Sequence, residues 1–120
     1  MKFRWLILIS LLLFFSCREE KIPKGILTKD KMVPMLVDQH LAEMIFAKRF
    51  AVGLKDENTM EDLYLSILKK YSVERKVFEK SVFYYSKHPN QYREIYDEVL
   101  NRLNEMNIKA KQEDPSLKRQ

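Results

Sequence analysis

The sequence predicts an all-α fold, a small bundle of about four helices behind a signal peptide and a short tether. Three observations carry this expectation. Apolar residues recur at helical spacing through most of residues 28–110, no segment alternates apolar and polar side chains as a half-buried strand does, and no internal repeat is present. With 46% hydrophobic and 32% charged residues in 120, the chain has the composition of a single folded domain rather than a disordered tail.

Residues 1–16 read as an address. Lys2 and Arg4 precede an uncharged apolar run from Trp5 to Phe15, and Ser16-Cys17 follows directly. At ~1.5 Å per residue that run reaches about 17 Å, far short of a hydrocarbon layer roughly 30 Å thick. A small residue before Cys17 resembles the bacterial lipobox, in which the thiol is diacylated and signal peptidase cuts between Ser16 and Cys17; Phe14 stands where leucine is usual. The alternative is a plain membrane anchor that happens to end in cysteine. Residues 17–27 follow as the lipidated cysteine and a tether, because Arg18-Glu19-Glu20-Lys21, Pro23 and Gly25 show no apolar periodicity.

Thr28 offers a cap for the first helix, whose stripe is Val33, Leu36, Val37, His40, Leu41, Met44, Ala47 and Ala51. Pro34 either bends this helix or marks its first turn, the favoured reading being a start near Val33, and Gly53 marks its end. Met32, Met35, Phe46 and Phe50 fall outside that stripe, so the apolar arc exceeds half the circumference. Such a helix is either central in its fold or half covered by a partner. Residues 54–59 form a polar loop. Met60, Leu63, Tyr64, Ile67, Leu68 and Tyr71 then define a second helix, with Leu63, Ile67 and Leu68 expected in the core. Ser72 is the expected cap of a third helix with Val77, Phe78, Ser81, Val82 and Tyr85 on one face and Phe83 pointing away. Pro89 ends it, since the residue before proline avoids helical geometry. The fourth helix takes Tyr92, Ile95, Tyr96, Val99, Leu100, Leu103 and Met106, and residues 111–120 make a charged flexible tail.

Composition also excludes function classes. Two glycines leave almost nothing for phosphate-cradling loops, and one cysteine cannot form an internal disulfide or a cysteine-rich zinc site. The net charge of +5 owes part of its excess to Lys2 and Arg4, in the segment that cleavage discards, so it does not point to nucleic acid.

Several residues together look familiar: Pro23-x-Gly25, Asp38-x-His40-Leu41-Ala42-Glu43, Leu68-x-Lys70-Tyr71, Phe78-x-x-Ser81-x-x-Tyr84-Tyr85, and Pro89 with Ile95-Tyr96-Asp97-x-Val99. In these elements the chain resembles a family of small lipoproteins of unknown function from Bacteroidetes. The resemblance implies lipidation, an envelope compartment and a helical fold, and it supplies no activity. Arg18-Glu19-Glu20 after Cys17 further resembles the signal that sends some lipoproteins of that group to the cell surface; a solvated spacer is the plain alternative.

His40 and Glu43 share a helix face and are able to hydrogen-bond or to offer two metal ligands. No further histidine or carboxylate spacing completes a metal site, and Asp38 lies on the far side of the helix, so the expectation is a packing histidine and no metal or cofactor. Ser81 sits on no nucleophile elbow; its small size suits close helix approach, with its hydroxyl bonded back to the carbonyl four residues earlier. Six tyrosines invite two readings, a core rim or an aromatic groove for a peptide or glycan. His40, Glu43, Phe83, Tyr84 and Tyr85 are therefore the candidate interaction residues. The functional expectation is a non-enzymatic interaction module, held in the envelope, and in the outer membrane, by lipid on Cys17 and binding another envelope protein. The alternative is a chaperone-like peptide-binding domain, since residues 63–85 weakly resemble helical segments flanking exported prolyl isomerases.

Overall fold

The computed structural model describes residues 21–54, 58–114 and 116, so the signal segment and Cys17 lie outside the described residues. The predicted all-α class is the one observed: four helices and no strand among the described residues. They are α1 (Lys29–Ala51), α2 (Met60–Lys70), α3 (Arg75–Ser86) and α4 (Pro89–Glu113). Helix α1 packs on both α2 and α4, and α3 packs on α4.

Helix α1 begins at Lys29 rather than near Val33, with Thr28 in the extended conformation of an N-cap although its side chain makes no capping bond. Pro34 is thus inside the helix. Its missing N–H deprives only the carbonyl of Asp30, an exposed residue that water can serve, so one lost bond is tolerated so near the N-terminus. Met32 and Met35, both assigned to the outside of the stripe, are among the most enclosed side chains, with Val33, Leu36 and Val37 beside them. These five positions wrap well past half the helix, which makes the first half of α1 central. The second half is less covered among the described residues. Met44 is 63% exposed, Ile45 58% and Phe50 78%.

Two helices end in the same way. After α1, Gly53 adopts a positive φ of 75°, and its N–H bonds the Phe50 carbonyl at 3.0 Å while the Leu54 N–H bonds that of Arg49 at 3.0 Å. This is a Schellman closure, which needs a left-handed residue just past the helix. After α2 the left-handed residue is Ser72, at φ 53°, with Ser72 N–H to Lys69 and Val73 N–H to Leu68. Ser72 therefore terminates α2, and the cap position of α3 falls to Glu74, whose side chain makes no capping bond. Half-buried Val73 and buried Leu68 supply the apolar contact that accompanies such a closure.

Helix α2 is capped by a reciprocal pair: Asp62 Oδ2 accepts from the Thr59 N–H at 2.8 Å, and Thr59 Oγ1 accepts from the Asp62 N–H at 3.1 Å. The Thr59 N–H and the Thr59 hydroxyl, which donates to the same Oδ2 at 2.7 Å, hold the Asp62 carboxyl below its usual range. Of the three side chains expected in the core from this helix, Leu68 is buried, whereas Leu63 and Ile67 are half-buried. Helix α3 stops where the sequence indicated, and Pro89 occupies the first position of α4, where its missing N–H costs nothing. Helix α4 continues to Glu113, past the start assigned to the tail, because Ala110, Lys111, Gln112 and Glu113 are good helix formers.

The core joins α1 to Leu68, Phe78, Tyr85, Ile95 and Val99, and it includes Leu27. The end of the segment assigned to the tether is thus part of the fold. Ser81, wholly buried, accepts a hydrogen bond from the Leu27 N–H at 2.8 Å and donates to the Val77 carbonyl at 2.6 Å, the back-bond expected of it. The Tyr85 hydroxyl donates to the Leu27 carbonyl at 2.7 Å. Both backbone groups of one residue are held by α3.

Candidate functional site

The candidate residues separate into a surface group and a structural group. Cys17 lies outside the described residues. His40 and Glu43 come together as their spacing required, with Nδ1 3.4 Å from Oε2 and the His40 side chain 36% exposed. The His40 ring meets Tyr96 of α4 edge-on, with centroids 6.2 Å apart. Histidine, glutamate and tyrosine therefore bridge α1 and α4 at the surface. Asp38 turns to the other side of α1, as the helical wheel indicated, and accepts from Lys70 Nζ at 2.6 Å and from the Tyr71 hydroxyl at 2.8 Å. That carboxylate raises the Lys70 ammonium above its ordinary value, and burial raises the Tyr71 phenol. Among the described residues no group of three or more His, Cys, Asp or Glu side chains converges as a metal site.

Phe83 is exposed, as its place on the wheel required, with Lys87 Nζ 5.4 Å from its ring centre. Tyr84 is half-buried, stacked on His88 at 4.0 Å and edge-on to Tyr85 at 5.2 Å. His88 Nδ1 lies 2.7 Å from the Tyr84 carbonyl, at the exit of α3. Tyr85 lies in the core: only 3% exposed, it spends its hydroxyl on Leu27. Adjacent residues on a helix point about 100° apart, so Phe83, Tyr84 and Tyr85 cannot share one face.

Two surfaces were not visible as such in the sequence. One is a groove of about 300 Å³ between α1 and α2, with Leu41, Ala42, Ile45, Phe46, Leu63 and Ile67 as its apolar lining and Asp38, Arg49 and Asn58 at its borders. Ala42 keeps its floor low, and the half-burial of Leu63 and Ile67 comes from their facing this groove instead of the core. The apolar arc of α1, wider than one neighbour could cover, was the signal for it.

The other is an open cleft of about 660 Å³ on α4, built by Ser86, Pro89, Tyr92, Arg93, Tyr96 and Asp97. Tyr92 and Tyr96 are one turn apart, with ring centres 4.5 Å apart and planes tilted by 31°. Burial, a hydrogen bond with Tyr92 and the nearby Glu43 carboxylate together push the Tyr96 phenol up to about 12. The phenols of Tyr64, Tyr71 and Tyr85 are also raised, in each case chiefly by burial.

A pH dependence follows. A phenol whose pKa is higher in the folded than in the unfolded chain keeps its proton longer when folded, so its stabilising contribution is complete below pH about 10 and is lost as pH rises towards 12. The unfolding free energy should therefore fall across that alkaline window, and Tyr96→Phe should flatten part of the fall. Urea denaturation at a series of pH values measures it; a wild-type curve level from pH 9 to about 12 contradicts the assignment.

A family model described as a domain of unknown function, DUF4296, matches residues 23–109. No curated protein and no solved structure matches the chain. The matched span runs from Pro23 through most of α4 and so takes in both surfaces.

Proposed function

From the premise that the chain belongs to the DUF4296 family, a domain of unknown function, we propose that it is a lipid-anchored module of the cell envelope that works by docking another envelope protein and catalyses no reaction. One observation carries the reading. Beyond Leu41 helix α1 keeps apolar side chains that no other described element covers, and these border a groove made with α2. A groove between two helices has the ridges and spacing to accept a third helix, and an amphipathic helix presenting apolar residues on one face suits its Leu, Ile and Phe lining. An apolar surface of this kind marks an interaction site more often than it marks idle surface. Anchoring enters through Cys17: two or three acyl chains hold a protein stably, since each buried methylene contributes ~0.8 kcal/mol. No described helix is long and apolar enough to cross a membrane. In this reading the lipid alone provides attachment.

A photo-crosslinking side chain at Ile45 in the native lipoprotein tests the docking face, with the same group at Lys76 on exposed α3 as control. A discrete protein adduct from position 45 and none from position 76 is expected; equal or absent labelling overturns the docking reading. The anchor is tested separately by Cys17→Ala, which should leave the precursor uncut at Ser16 and unlabelled by a fatty-acid analogue. A variant that matures and carries label overturns the lipoprotein reading.

A further inference from the structure

The cleft on α4 lies apart from the docking groove, and its chemistry is different. Its four central residues form two rows along one helix, Tyr92 with Tyr96 and Arg93 with Asp97, each pair one turn apart. The aromatic row is fixed. Tyr96 is held by the edge of His40, and the Tyr92 ring lies 4.5 Å from it, tilted by 31°, while remaining 40% exposed. The charged row is unspent: among the described residues neither Arg93 nor Asp97 makes a hydrogen bond or ion pair, although elsewhere the same spacing is used, as in Arg102 with Glu98 at 3.0 Å. Pro89 and Ser86 complete its lining.

We infer that this cleft binds a neutral oligosaccharide, with a pyranose ring laid on the outer face of Tyr92 and its hydroxyl groups held between Arg93 and Asp97. The ligand class follows from what each group is able to do. An aromatic face attracts the C–H face of a pyranose through dispersion and its negative quadrupole, and it needs no charge on the ligand. A guanidinium only donates hydrogen bonds and a carboxylate only accepts them, so a ligand satisfying both must donate and accept from neighbouring atoms. Vicinal hydroxyls do so. A proline-rich peptide, the other common occupant of tyrosine clefts, presents carbonyl acceptors and lacks N–H groups at its prolines, so it would set an acceptor against the Asp97 carboxylate. An anionic ligand meets the same carboxylate, and a cationic one meets Arg93. The volume of about 660 Å³ is in the range of small-ligand sites, and the open side leaves room for a chain to continue.

Saturation-transfer NMR on the full-length protein in detergent, with maltohexaose, cellohexaose and chitohexaose offered singly, tests the inference, because it reads the ring protons that face the tyrosines. Saturation of ring protons from at least one of the three is expected, at millimolar affinity. Arg93→Ala and Asp97→Ala, both at exposed positions, should each weaken binding about tenfold while the helical circular-dichroism spectrum stays unchanged, and Tyr92→Ala should abolish the saturation signal. Three outcomes overturn the inference: no transfer to any of the three sugars, transfer undiminished in both charge variants, or binding of a decaproline peptide in place of the sugars.

Discussion

Truncating Leu68 to alanine should lower the unfolding free energy by about 2 to 5 kcal/mol, a large share of the roughly 5 to 15 available to a domain of this size. The magnitude follows from how little else holds α2. Its cap fixes the N-terminus through Thr59 and Asp62, Lys70 and Tyr71 at its other end reach Asp38 of α1 at a partly exposed site, and Tyr64 meets Phe78 of α3 edge-on with centroids 5.9 Å apart, but Leu68 is its only buried side chain. It is also the residue whose carbonyl receives the Val73 N–H in the closing turn, so a cavity at its side chain sits beneath the junction with α3. Leu63 and Ile67 face the open groove, and with part of their surface already in water their truncation should cost about half as much or less. Urea denaturation followed by circular dichroism measures all three variants. A Leu68→Ala cost below about 1 kcal/mol, or a Leu63→Ala cost equal to it, would show that α2 is not held in this way.

The contrast among Leu63, Ile67 and Leu68 shows what periodicity reveals and what it does not. Helical spacing identifies which side of α2 is apolar, and all three residues lie on that side. How much of that side reaches the core depends on the angle at which α2 crosses α1, and no local pattern encodes an angle. Met32 and Met35 make the same point in the other direction. They lie off the main stripe by their angle on the helix, yet they are enclosed, since the first half of α1 has neighbours on more than one side. Ser72 was legible as a residue that marks a boundary, and the ambiguity lay in whether it closes the helix before it or opens the one after it; its positive φ decides for the former.

Site residues divide similarly. The pairing of His40 with Glu43 and the outward direction of Phe83 follow from position on a single helix, and both were legible. The cleft on α4 also rests on single-helix spacing, with Tyr92, Arg93, Tyr96 and Asp97 in two adjacent rows. Its position stays undecided in the sequence because tyrosine on an apolar stripe suits a core rim as well as an aromatic groove. The groove between α1 and α2 needs two elements at once, and only the excess apolar arc of α1 hinted at it.

The second large effect concerns Leu27, where two side chains of α3 hold the backbone N–H and carbonyl of one residue. Ser81→Ala leaves the Leu27 N–H without its acceptor, and Tyr85→Phe leaves the Leu27 carbonyl without its donor. Leu27 is 8% exposed, so water does not readily replace either partner, and each variant should cost about 1 to 3 kcal/mol. Neither substitution adds volume, which sets this loss apart from overpacking. The two costs should not add. Once Leu27 has lifted from α3 to rehydrate one orphaned group, the other is exposed as well, and the double variant should fall short of the sum by about 0.5 to 3 kcal/mol. Hydrogen exchange separates local detachment from global loss: in Ser81→Ala the Leu27 amide should exchange far faster than the amides of Ile95 and Val99, which report on the core. Strict additivity with uniform exchange would mean that Leu27 is held by the apolar contacts of its side chain, and that the two hydroxyls only follow it.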